Sequence, residues 1–386
     1  MQTETGIPAT ANSNNLKIGY VDNLKVVLTV LVIMHHAFIT YGAPGGWYLT
    51  EKTTFKPALI LMTLFVATNQ AFFMGFFFFL SAYFAESSYN KKGALKFLGD
   101  RLKRLGIPLV FYSFILSPVL SYLVYRFAKG NNITYVQYLG GFHSWIDFGV
   151  LWFVAALLLF SVLYVIVRVW FDKKPGVVNP MPPGGWKIIL FATALALASY
   201  LIRWIFPVGW ILKPVGFQLG HFAQYLALFA LGIIASRGRW LVNINYQLAK
   251  RFAVKVMVMI VVLFPVLYAV VTLTHSPIEA LNGHGNWQSL MYAFWEQLAG
   301  IFIIVALLGI ARQKWNNQSA FFKKLSRLTF CVYIFHPLVL ISLSVLLKPW
   351  GVDPALKLLV VAPGAVVGSF LLAAILVKVP GVKAVV

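Results

Sequence analysis

Residues 20–42 read YVDNLKVVLTVLVIMHHAFITYG, an apolar run with Asp22 and Lys25 near its start, glycine at its end, and His35 and His36 inside it. Such a run is long enough to cross a bilayer as a helix. It carries no small-residue cleavage site, so it reads as a retained span rather than a signal peptide. Comparable runs follow at 57–87, 107–127, 150–171, 186–206, 219–236, 252–274, 287–311, 326–347 and 354–378. A spanning backbone in lipid must satisfy its own hydrogen bonds, so these runs are expected to be helices. The fold class that follows is all-α: a polytopic integral membrane protein of about ten transmembrane helices. The second run is long for one crossing and contains Asn69, Gln70 and Gly75, which predicts a tilted, broken or partly re-entrant segment.

Composition supports this. The 386 residues are 60% hydrophobic and 11% charged, with a mean hydropathy of +0.81, whereas a soluble domain is about a quarter charged. A net charge of +22 invites a nucleic-acid reading. That reading fails, because the bases lie in short loops between apolar runs. The single cysteine, Cys331, offers neither a disulfide framework nor a CxxC metal site, and no metal is expected. Residues 1–19 are polar and read as a disordered cytoplasmic tail, and 20–386 as one membrane domain without an internal repeat. No feature specifies an oligomeric state.

Charge sets the orientation. Every second loop is basic: 91–104, 168–187, 237–255 and 312–327. The intervening loops are sparse in bases, with Arg126 and Lys129 in one, Arg203 and Lys213 in another, and none in 275–286. The alternation predicts both termini in the cytoplasm.

An ionisable group at the centre of a span costs at least ~2.5–3.5 kcal/mol on insertion scales, so each calls for a reason. Lys25 and His36 are eleven residues apart, which on a helix places them on one face with a rise of ~16 Å between them. Glu296, in the eighth run, falls at a depth matching His36. A carboxylate there would fix the imidazole tautomer. His336, in the ninth run, is the remaining candidate. The bland alternative is that these groups only hold helices together by hydrogen bonds.

Arg101 and Arg104 stand one turn apart before Ile107-Pro108, a fork suited to phosphate. Contact with anionic lipid headgroups explains them equally well. Phe72–Tyr83 (FFMGFFFFLSAY) is an aromatic wall ending on Ser81-Ala82, read as packing or as a tunnel lining. Trp152 anchors an interface. Trp47, in the loop 42–48 (GAPGGWY), and the loop 274–287 suit a sugar-like acceptor, as ordinary belt aromatics also would.

Together these stretches resemble the membrane acyltransferase-3 family, polytopic enzymes that acylate cell-surface glycans and some secreted small molecules. The start YVDNLK with ten residues before His36, the Phe-rich FFFFLSAYF at 76–84, and Arg101 and Arg104 ahead of Pro108 carry the likeness. So do LWF at 151–153 and LSRLTFCVYIFHP at 325–337, with Thr329, Tyr333 and His336 in place. The likeness covers nearly the whole chain and is nearest the glucan-succinylating branch. Lys25 stands where the family has arginine, and Ala82 where it has glycine.

The resemblance implies a cytoplasmic acyl-CoA co-substrate, no permanently bound cofactor, and an acceptor hydroxyl on an extracytoplasmic glycan or small molecule. It places the protein in the bacterial inner membrane. Lys25, Arg101, Arg104 and Ser81 would meet the donor; Trp47, Trp152, Tyr333 and His336 the acceptor. His36 would be the general base and Glu296 its orienting partner, with an acyl-histidine relay left open. Two rivals stand beside this. A proton-coupled transporter or flippase would use His36, Glu296 and His336 as a proton path and predicts inverted repeats. A non-catalytic subunit of envelope-polymer export predicts tolerance of substitution at His36.

Overall fold

Ten helices long and apolar enough to cross a membrane form the computed structural model, which describes residues 18–171 and 180–385. They are α1 (Gly19–Tyr41), α2 (Lys56–Lys92), α3 (Ala94–Ala128), α4 (Gly149–Phe171), α5 (Gly185–Ile202), α6 (Leu219–Arg237), α7 (Tyr246–Leu273), α8 (Trp287–Lys314), α9 (Thr329–Leu346) and α10 (Pro354–Leu376). Each corresponds to one apolar run in the sequence. The ends differ most at α3 and α7, where the helix continues backwards into the basic segment before the run. Among the described residues the only β pairing is an isolated bridge, Leu212 with Phe217. Most of the expected tail, residues 1–17, lies outside the described residues, as do 175–179 of the Pro/Gly-rich loop.

The expectation of a break in the second span is corrected: α2 is one continuous helix of 37 residues. At ~1.5 Å per residue it is ~55 Å long, so it must tilt or project beyond a hydrocarbon core of ~30 Å. The residues that suggested a break serve packing instead. Asn69 Nδ2 donates to the Leu31 carbonyl at 3.0 Å, and Gln70 Nε2 to the Tyr225 hydroxyl at 3.1 Å. A Cβ on Gly75 would lie 2.6 Å from Leu228 Cδ1 of α6, and one on Gly300 of α8 would overlap the Ala71 carbonyl. Small residues let backbones approach where lipid supplies no hydrophobic drive.

Prolines accompany three of the four wide turns among the described residues, the fourth being Val124–Ala128, which no proline follows. Wide π-type turns occupy Leu102–Gly106, Tyr112–Leu116 and Met259–Leu263. Each ends two residues before a proline: Pro108, Pro118 and Pro265. A proline has no N–H, and its ring collides with the carbonyl four residues back, so the widened turn relieves the clash without ending the helix.

The most buried helix, α8, packs on α2, α5 and α7, while α2 packs on α6. A second group is α1 against α9 and α10, joined to the first through α1–α2, with α3 bridging α4 and α9. At one end Tyr20 donates to the Leu241 carbonyl (2.7 Å), Asn23 to Trp315 (2.8 Å) and Arg312 to Ile244 (2.7 Å). This is the basic end. At the other, Thr53 donates to Asp353 at 2.7 Å.

Candidate active site

α1 is uninterrupted from Gly19 to Tyr41, so Lys25 and His36 share a face as the spacing requires. The His36 ring is half-buried. Its Nδ1 lies 2.9 Å from Nε2 of His336 on α9, whose side chain is fully buried. His336 Nδ1 in turn lies 2.8 Å from the Tyr333 carbonyl oxygen. That carbonyl is available because Pro337, four residues on, has no N–H to bond it.

This chain of contacts sets the proton positions. A carbonyl only accepts, so His336 Nδ1 carries the hydrogen, and in the neutral ring its Nε2 is a lone pair. That lone pair takes the Nδ1–H of His36. The nitrogen left unprotonated on a neutral His36 is therefore Nε2, the arrangement of a general base held by a partner behind it. Trp47 covers the ring face, with centroids 4.1 Å apart and planes 15° from parallel.

Around this centre lies an aromatic and hydroxyl-bearing wall. Trp47 meets Tyr48 edge to face at 5.3 Å, and the Tyr48 and Tyr112 hydroxyls are 2.9 Å apart. Asp147 accepts from Ser117 Oγ (2.7 Å) and the Gly149 amide (2.9 Å). Burial, and then the Asp147 charge, push the Tyr48 phenol above its ordinary range, so it stays a neutral hydroxyl. The Tyr333 hydroxyl donates to the Val150 carbonyl. Trp152 stands further along the wall, 5.6 Å from the Tyr225 ring.

Glu296 is not the partner of His36. It is fully buried and paired with Arg203 Nη2 at 2.5 Å, with His221 Nδ1 at 3.3 Å and Gln297 Nε2 at 3.1 Å. Gln224 extends the network to Gln297 (2.9 Å) and the Ala71 carbonyl (2.8 Å). The reason is rotational. α8 turns its carboxylate toward α5 and the start of α6, while α9 and α10 take the face of α1 that carries His36.

At the basic end Lys25 pairs with Asp22 at 3.2 Å and lies 5.0 Å over the Phe84 ring. Arg101 rests on Phe97 at 5.1 Å, and Arg104 is exposed. Among the described residues no carboxylate pairs with either arginine. Ser81 is half-buried on α2, and its hydroxyl has no hydrogen-bond partner among the described residues. The structure thus brings together His36, His336, Tyr333 and Trp47. It leaves Glu296 in a separate network, and Lys25, Arg101 and Arg104 at the basic end. Among the described residues no three His, Cys, Asp or Glu side chains converge as metal ligands would.

Sequence reasoning missed Arg203, His221, Tyr112 and Asp147. Arg203 was counted with the loop bases because it ends an apolar run, yet it is 0% exposed. A charge at the edge of a run was the available signal.

Ten helices long and apolar enough to cross a membrane define an integral membrane protein, and a hydrogen-bonded histidine pair joins two of them. The chain belongs to the acyltransferase-3 family: the family described as "Acyltransferase domain" matches residues 18–377. It is also similar to proteins called "Glucans biosynthesis protein C" from Salmonella agona (strain SL483) and Salmonella enteritidis PT4 (strain P125109), at 24% identity over 225 residues. That match takes in 56% of this chain and 57% of each relative, so the chain spans little more than half their length. No solved structure matches.

Proposed function

We propose that the protein transfers an acyl group from a coenzyme A thioester to a hydroxyl of a glucan-like glycan, with His36 as general base. The hydrogen-bonded line from the Tyr333 carbonyl through His336 to His36 carries this reading, because it leaves His36 Nε2 free to take a proton. His36 removes the acceptor hydroxyl proton, the oxygen attacks the thioester carbonyl, and the C–S bond breaks. The leaving thiolate takes the proton back, giving the ester and free coenzyme A thiol. Nothing is oxidised or reduced.

Lys25, Arg101 and Arg104 lie on the donor side, where Arg101 and Arg104 offer donors to the phosphates. The ~16 Å rise from Lys25 to His36 matches the span a pantetheine arm must cover. Trp47, Tyr48 and Tyr112 supply ring faces and hydroxyls on the acceptor side. The relatives named for glucan biosynthesis support a glycan acceptor. The basic loops support an orientation with both termini in the cytoplasm, in a bacterial inner membrane.

Mass spectrometry of envelope glycans from cells with and without the protein tests this. The expected result is a loss of one acyl unit per modified residue in its absence. Identical spectra would remove the glycan acceptor.

A further inference from the structure

Away from the histidine centre, a cleft of about 640 Å³ opens between α5, α6, α7 and α8 at the basic end. That volume is in the range of small-ligand sites. Its deep walls are apolar: Phe79, Phe191, Leu228, Ile301 and Ile304. The back wall on α8 descends ~10 Å from Leu308 to Ile301, about two-thirds of one leaflet's hydrocarbon. Its flanking helices α5 and α7 are the two least buried of the ten, so the cleft faces lipid.

The mouth has the opposite character. Lys187 and Arg251 line it, both exposed and without an ion-pair partner among the described residues. α5, 18 residues long, begins there at Gly185 with no side chain capping its first amides. Uncapped N–H groups and the positive end of the helix dipole favour an anion. Trp186, 68% exposed, marks headgroup depth next to them. An apolar slot under a cationic rim fits a molecule with hydrocarbon below and negative charge above.

We infer that this cleft holds an anionic phospholipid of the leaflet on the basic side, its acyl chain in the slot and its phosphate on Lys187, Arg251 and the α5 amides. The site is separate from the His36 centre and does not rest on the acyl-transfer reading.

Native mass spectrometry of the full chain, released from nanodiscs of phosphatidylcholine with one-fifth phosphatidylglycerol, tests it. The wild type is expected to retain phosphatidylglycerol in excess over its share of the bilayer. Lys187→Ala with Arg251→Ala is expected to cut that preference on the order of tenfold or more, from two lost cationic contacts. Val305→Trp, which fills the slot from the back wall, is expected to lower retention of both lipids. Two results overturn the inference: retention in proportion to the bilayer, or a preference unchanged in the charge variant. Retention of an added coenzyme A thioester in place of lipid, lost in the same variants, also overturns it by giving the cleft to the acyl donor.

Discussion

A proline inside a helix leaves the carbonyl four residues back without its donor, and in α9 that carbonyl belongs to Tyr333. His336 takes it with Nδ1 and so presents a lone pair to His36. His336→Phe removes that acceptor and is expected to lower kcat on the order of a hundredfold with little change in donor KM. Pro337→Ala restores an N–H that competes for the Tyr333 carbonyl, and a smaller fall, on the order of tenfold, is expected. Steady-state kinetics on both variants check this; an unchanged kcat for His336→Phe contradicts it. At this scale the sequence marked His36 and His336 because charge-bearing rings are costly in apolar runs. It did not pair them. Hydropathy records the depth of a residue, whereas the partner depends on how each helix is rotated about its axis. That is why Glu296, expected from the sequence at the depth of His36, belongs instead to Arg203.

Helix pairing brings its own consequences. Breaking a fully buried ion pair by removing one partner strands the other charge and costs about 3–5 kcal/mol. Glu296→Ala should therefore lower the thermal midpoint in detergent clearly, and an unshifted midpoint argues against the pairing. The segment between α1 and α2, which carries Trp47 onto His36, is strapped to α10. Lys357 Nζ, 1% exposed, holds Glu51 at 2.5 Å and the Lys348 carbonyl at 3.1 Å. Thr53 holds Asp353, and the Glu51 amide donates to Thr40 at 2.7 Å. Lys357→Ala should loosen Trp47 and raise acceptor KM several-fold while donor KM stays put, with Lys357→Arg recovering part. Equal changes in both KM values would make the strap merely structural. The existence of these helices was legible, since lipid imposes a long apolar run on each crossing. The continuity of α2 was not, because Asn69, Gln70 and Gly75 look alike in sequence whether they break a helix or pack it.

For the molecule as a whole, the ends of the bundle differ in charge, and the account gives them opposite sides of the membrane. With Cys331→Ser as background, Asn132→Cys should react with an impermeant maleimide in intact cells, and Lys103→Cys only after permeabilisation. The reverse pattern inverts the protein and places the arginine fork away from the donor. The claim on which everything turns remains the free Nε2 of His36. Its most direct test is acyl transfer by purified protein, wild type against His36→Ala, following ester formation and release of coenzyme A thiol together. The account predicts a fall on the order of 10²- to 10⁴-fold in both products with the fold intact; turnover near the wild-type rate would contradict it.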